Sequence, residues 1–350
     1  MFFPWLRAGS SATKPETVHL ACGANHTLAL LELGQVTELW GSRALLRRNE
    51  STSIFRPLDL PLERNGLSGY LPRLACASWE TTYVVLSYNS MSDVLIAMGA
   101  NDFGTWESDF HVVSLDHFSE GGVSVESLAS GQHHVVVKLK TASGDLIVGW
   151  GTSRHGQLGD VDKPFLSAPA VVSSPRTDDA VVHTALGHQH TVFLHSSGTL
   201  CGLGANKKHQ LEGIGVATQA RSVDCTWNGT YITTGDDKNW DLFSAGNNAN
   251  GQLGRNEGVF ARVEFPFSAS THRLLQVACG SEHVLASFIV GASSSTEVWG
   301  WGWNEHGNLG VGTTEDVRLP AKIWPPKLSQ APSGRVGIWA GSGTSWIVIQ

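Results

Sequence analysis

No apolar run in this chain approaches the ~20 residues that a membrane-spanning helix requires. Met1–Leu6 is apolar, but it is far shorter than a secretory core, contains Pro4 and has no basic segment before it. An excess of positive charge is also missing. Lys and Arg total 24 against 31 acidic residues, a net charge of -7, which argues against a general nucleic-acid footprint. Sustained helical periodicity is absent, so the chain is expected to be built of strands. Catalytic signatures are missing too. There is no Gly-x-Ser-x-Gly elbow and no phosphate loop, and Gly202-Leu-Gly204 lacks the third glycine and following helix of a dinucleotide fingerprint. The carboxylate pairs Asp178-Asp179 and Asp236-Asp237 lie in polar stretches, where solvated turns are the better reading. No enzyme activity and no cofactor are expected.

Cysteine is scarce, and its placement is informative. Of the five cysteines, four fall in one recurring phrase, at Cys22, Cys76, Cys225 and Cys279. Further copies without cysteine run through Leu128-Ala129-Ser130, Ala185-Leu186-Gly187 and Trp339-Ala340-Gly341, giving seven copies. Successive anchors stand 54, 54, 56, 39, 54 and 61 residues apart. A period near 50 residues marks a propeller or solenoid, in which each unit buries its apolar face against its neighbours. Each phrase ends in a short run rich in branched residues, such as Tyr83-Val-Val-Leu86 or Val135-Val-Val137, bounded by Gly, Ser or Asn, and these are expected to be strands. A second phrase follows, strongest at Val148–Gly159, Phe243–Gly254 and Val298–Gly310 and weaker at Cys201–Leu211 and Ala97–Gly104. Its glycines supply positive φ for tight turns.

These alternating phrases resemble the repeats of the regulator of chromosome condensation family. The resemblance implies an all-β, seven-bladed β-propeller, one domain over residues 1–350. Residues 1–17 are atypical for that family, and the segment 43–73 is an irregular insert. The closing blade either pairs Met1–Leu6 in an unrecognised way or is incomplete. Within the family, Cys76-Ala-Ser-Trp79, Cys225-Thr-Trp227, Ala278–His283, Trp299–Gly307 and Ala340–Trp346 are similar to the fungal alpha-tubulin suppressor, or killer-toxin-insensitivity, branch. That branch implies a heterodimer with a small CSL-type zinc protein that carries electrons. It further implies support of diphthamide synthesis on elongation factor two and of Elongator-dependent modification of tRNA wobble uridines. The alternatives within the same repeat family are a guanine-nucleotide exchange factor and a generic adaptor. Neither direct nucleic-acid binding nor membrane binding is expected. Reduced thiols point to the cytoplasm and the nucleus.

His26, His134, His190 and His283 share one phase. An active site is built once whereas a fold is built at every repeat, so each is expected to tie its strand to a neighbouring loop by a hydrogen bond. Cysteine and histidine four residues apart suggest a metal, but copies so far apart cannot close one tetrahedral site, so no metal ligand is assigned. The better lead is tryptophan, 13 in all. Trp79, Trp227, Trp303 and Trp346 stand where other copies carry small or polar residues, with Glu80, Glu305 and His306 beside them. Tryptophan brings large contact area at low entropic cost and keeps a donor, so these seven residues are expected to form a protein-docking face.

Overall fold

The computed structural model describes residues 17–33, 36–43, 55–99, 110–172, 179–236, 238–291, 295–326 and 335–349. The segment 1–16 and the middle of the 43–73 insert lie outside the described residues. The chain divides into two compact units, Met1–Gly151 with Phe165–Val172 and Gln350, and Thr152–Pro164 with Ser173–Ile349.

The first unit carries three antiparallel sheets. Sheet I is β1 (Thr17–Cys22), β2 (His26–Leu33), β3 (Val36–Arg43) and β4 (Arg56–Pro57). Sheet II is β5 (Leu71–Ala77), β6 (Thr81–Ser87), β7 (Val94–Gly99) and β8 (Phe110–Val113). Sheet III is β9 (Ser124–Ser130), β10 (His134–Thr141), β11 (Gly144–Thr152) and β12 (Phe165–Val171).

The second unit continues the series. Sheet IV is β13 (Val181–Leu186), β14 (His190–His195) and β15 (Leu200–Gly204). Sheet V is β16 (Ala220–Thr226), β17 (Gly229–Gly235), β18 (Trp240–Gly246) and β19 (Phe260–Arg262). Sheet VI is β20 (His272–Cys279), β21 (His283–Val290), β22 (Ser295–Gly302) and β23 (Val317–Trp324). A hairpin of β24 (Val336–Ala340) and β25 (Ser345–Ile349) follows.

The all-β propeller class holds, but the blade count differs from the expected seven. Among the described residues there are six blades of three or four strands, and the seventh position holds only the two-stranded hairpin. The reason lies in the second phrase. It runs out of the third strand in sheets II to VI, whereas the first phrase supplies only the first two strands, so a count of first phrases takes the hairpin for a blade. Sheet IV also departs from the pattern, since Ile214 packs over Gly202 of β15 as Ile323 of the fourth strand packs over Gly300 in sheet VI.

The second strands explain why the sequence folds this way. Residues Thr81–Leu86 and Gly229–Thr233 are buried without alternation, because neighbouring sheets of the same unit cover both faces. Each junction within a unit holds its own core. Leu28, Leu30, Val84 and Ile96 fill that between sheets I and II, and Ala286, Phe288 and Trp301 meet Tyr231 and Leu242 between V and VI. Outer strands carry Pro57, Pro169 and Pro320, which lack the N–H that would invite pairing at an edge. First strands of consecutive sheets lie together within each unit and are clipped by one side chain apiece. Gln276 Nε2 donates to Ile338 O (2.7 Å) and Gln276 Oε1 accepts from Ile338 N (3.1 Å). His19 and His183 bond the backbone of Ala75 and Val223 at the equivalent places.

Candidate protein-docking rim

Strand register defines the loops that matter. Cys22 pairs with Thr27, Cys225 with Thr230 and Cys279 with Val284, so these three cysteines occupy one position. Cys76 does not share it. It pairs with Tyr83, one residue earlier than the phrase suggested, and Ala77 opposite Thr82 takes the equivalent place. A one-residue offset turns a strand side chain to the other face. Cys76 therefore packs toward sheet III, whereas Cys225 and Cys279 pack toward the sheets that precede theirs. Burial pushes the Cys22 and Cys76 thiols up to about 12 and raises those of Cys225 and Cys279 as well, which makes them poor nucleophiles and poor metal ligands. Among the described residues no group of three or more His, Cys, Asp or Glu is placed to hold a metal ion.

With the register set, Ala24, Trp79, Gln132, His188, Trp227, Ser281 and Ser342 fall at the middle of equivalent loops between the first and second strands. Backbone hydrogen bonds link these loops from sheet to sheet. In the first unit, Ala24 N donates to Trp79 O (3.0 Å) and Trp79 N to Gln132 O (3.1 Å). In the second, His188 N donates to Trp227 O (2.9 Å), Trp227 N to Ser281 O (2.7 Å) and Ser281 N to Gly341 O (3.3 Å). Trp79 and Trp227 thus occupy the same position in two blades, with backbones fixed by the relay. Both indoles are half-buried, Trp79 against His133 (6.3 Å between centroids) and Trp227 against His188 (6.1 Å).

The next loop position is polar. Asn25 Nδ2 donates to Glu80 Oε1 (3.1 Å), and Asn228 Nδ2 donates to Glu282 Oε1 (2.5 Å). Gln252 Nε2 reaches the other oxygen of Glu282 (2.6 Å). Burial raises the Glu282 carboxyl, while these two donors hold it down. Asn228, Gln252 and Glu282 were not singled out from sequence, although the recurring Gly-Gln-Leu-Gly of the second phrase was the available signal.

A glycine lets the third strand end against this loop. Gly302 has φ +99°, and a Cβ there would sit 2.5 Å from Glu282 O. Trp303 follows, its N donating to Glu282 O (2.9 Å). Its Nε1 donates to Glu305 Oε2 (3.2 Å), and its ring meets His306 edge-on at 4.8 Å. Buried Asn304 holds the loop by donating to Thr313 O and Glu315 O and accepting from Leu309 N. Within the second unit, Trp227, Trp303, Glu305 and His306 therefore share one rim. Trp79 and Glu80 form the equivalent feature in the first unit. Trp346 joins neither set, because it lies within β25 opposite Trp339.

The repeated histidines serve the scaffold. His26 Nε2 lies 2.9 Å from Thr82 Oγ1, His190 Nε2 3.2 Å from Thr230 Oγ1, and His283 Nε2 3.2 Å from Ser345 Oγ. Each thus bonds a hydroxyl on the following sheet. Burial lowers all three to about 4, so they are neutral at physiological pH.

A family model of the regulator of chromosome condensation (RCC1) repeat matches residues 147–194, 241–287 and 296–341. Those three segments carry the RCC1-repeat pattern. Among relatives, it is 26% identical to the ultraviolet-B receptor UVR8 of Arabidopsis thaliana, the match covering 95% of this chain and 76% of that protein. It is 29% identical to human RCC2 over 65% of this chain, and 27% identical to the secretion-regulating guanine nucleotide exchange factor of Bos taurus over 78%. The match spans 48% of RCC2, about half its length. Two solved structures show the fold. Human WBSCR16 has a TM-score of 0.70 at 20% identity, covering 95% of this chain and 87% of that one. Prp20p of Saccharomyces cerevisiae, studied for its binding to Gsp1p and histones, has 0.70 at 18% identity, covering 94% and 81%. RCC1-repeat propellers act in general as binding or exchange-factor proteins.

Proposed function

We propose that this RCC1-repeat propeller is a non-enzymatic binding protein that docks a small CSL-type zinc protein on its tryptophan-bearing rim. Through that heterodimer it supports diphthamide synthesis on elongation factor two and Elongator-dependent wobble-uridine modification, in the cytoplasm and nucleus. The observation that carries the reading is the pair Trp79 and Trp227. The same loop position holds alanine, glutamine, histidine or serine in other copies, so the fold does not require an indole there. A half-buried indole on a backbone fixed from both sides loses little freedom on binding. In the second unit Trp303, Glu305 and His306 add a further indole with a polar rim beside it. The thiols and histidines of the scaffold are buried and neutral, which leaves the partner to hold the zinc and carry the electrons.

The test is co-purification of the recombinant chain with the CSL-type protein. Trp227→Ala and Trp79→Ala should each weaken the complex while leaving thermal unfolding within a few degrees of the parent. Loss of folding instead would assign both indoles to packing. Similarity to an exchange factor favours a second reading, nucleotide exchange on a small GTPase. Accelerated nucleotide release from a GTPase, with no CSL complex at micromolar concentration, would select it.

A further inference from the structure

The second phrase makes the same turn in successive blades, so side chains that differ at its tip are not dictated by the turn. His155 N, Lys208 N and Asn250 N each donate to the side-chain oxygen of the glutamine two residues on, Gln157, Gln210 or Gln252, at 2.9 Å. These tips carry Arg154-His155, Lys207-Lys208 and Ala249-Asn250, and the fourth equivalent is Glu305-His306. Arg154, Lys207 and Lys208 are exposed, and no described hydrogen bond or ion pair engages their charged groups. The two basic loops adjoin, since Thr191 Oγ1 donates to Gln157 O (2.8 Å) and Ala205 N to Gln189 O (2.8 Å). Thr230 Oγ1 donates to Gln210 O (2.7 Å), which sets the Lys207-Lys208 loop against the sheet V loop that carries Trp227, and Lys208 favours the charged form of Glu282.

A protein of net charge -7 thus keeps three exposed cations on adjacent loop tips next to its tryptophan rim. We infer that Arg154, Lys207 and Lys208 form a docking surface for an acidic, carboxylate-rich segment of a protein partner. The inference rests on the docking-rim reading and adds the partner's chemistry. Charge complementarity at exposed loop tips acts chiefly on association rate and is screened by salt. An RNA partner is disfavoured, because few cations are present and Glu282 and Glu305 lie on the same rim.

The experiment uses the full chain and a fluorescein-labelled deca-glutamate peptide in an anisotropy titration, with deca-lysine and a uridine oligonucleotide as comparison probes. Deca-glutamate should bind, and raising salt from about 50 to about 500 mM should weaken binding by about tenfold or more. The triple variant R154E/K207E/K208E should lose binding, whereas Lys238→Glu, on the loop between β17 and β18, should not. Circular dichroism would confirm that both variants fold. Milder Lys207→Gln and Lys208→Gln should give intermediate losses. Deca-glutamate binding that is absent, or indifferent to the triple variant, overturns the inference, as does tighter binding of the oligonucleotide through the same residues. The two readings separate cleanly. If deca-glutamate binds but the CSL-type protein does not, the surface stands and the named partner falls. If the CSL-type protein binds the parent and the triple variant equally, the partner stands and the acidic docking surface falls.

Discussion

Acid should unfold this protein by way of its inter-sheet histidines. His26, His190 and His283 are buried and held at about 4, against 6.5 for free histidine. The unfolded chain therefore takes up protons that the folded chain refuses, so stability is lost as pH falls from the unfolded value toward the folded one. Linkage gives about 2 kcal/mol per histidine between pH 7 and pH 5, or about 5 to 6 kcal/mol for the three. Asp224 works in the opposite sense, since burial pushes it up to about 7 and the folded state binds its proton more readily. It returns about 2 kcal/mol over the same interval. The net loss of about 3 to 4 kcal/mol is a large fraction of the ~5–15 kcal/mol that holds a typical domain folded. Urea unfolding followed by tryptophan fluorescence at pH 7 and pH 5 measures this directly. The variant H26Q/H190Q/H283Q should be destabilised at pH 7 but should lose the acid sensitivity, and Asp224→Asn should steepen it. An acid sensitivity undiminished in the triple glutamine variant would refute the reasoning.

Other outcomes follow from the same geometry. Gly302→Ala puts a Cβ against Glu282 O at a positive φ, and should cost about 2 to 3 kcal/mol in urea melts through backbone strain and the contact. Arg255 is buried and donates to the carbonyls of Ser244, Glu257, Gly258 and Val259, so Arg255→Leu leaves those acceptors unmatched. Its unfolding free energy should fall by about 3 kcal/mol, with proteolysis opening first in the loop 247–259. Iodoacetamide should label Cys22 and Cys76 in the native protein far more slowly than in urea at the same pH, because burial holds their thiols at about 12. Native labelling as fast as in urea would contradict that.

Much of the scaffold was legible because it is repeated. Branched runs such as Val84–Leu86 could only be strands covered on both sides, and a shared phase for His26, His190 and His283 marked them as structural. What failed depended on register. Cys76 looked equivalent to Cys22, but Thr81 stands where four other copies have His26, His134, His190 or His283, and without that landmark the one-residue offset stayed hidden. The same offset concealed that Trp79 and Trp227 are equivalent. Counting first phrases gave seven blades, whereas that phrase supplies only the first two strands of a blade, so the hairpin of β24 and β25 was counted as one. Trp346 was grouped with the rim by residue type, yet pairing with Trp339 puts it inside a strand. The backbone relay through Trp79 and Trp227 was invisible in sequence, because main-chain N–H and C=O groups are common to every residue.

The central claim is that a tryptophan-bearing rim docks a small CSL-type zinc protein. Calorimetric titration of that protein into the full chain tests it most directly. The account predicts a one-to-one complex that W227A/W303A abolishes without lowering thermal stability by more than a few degrees. Absence of heat with the parent chain, or equal binding by the double variant, would contradict it.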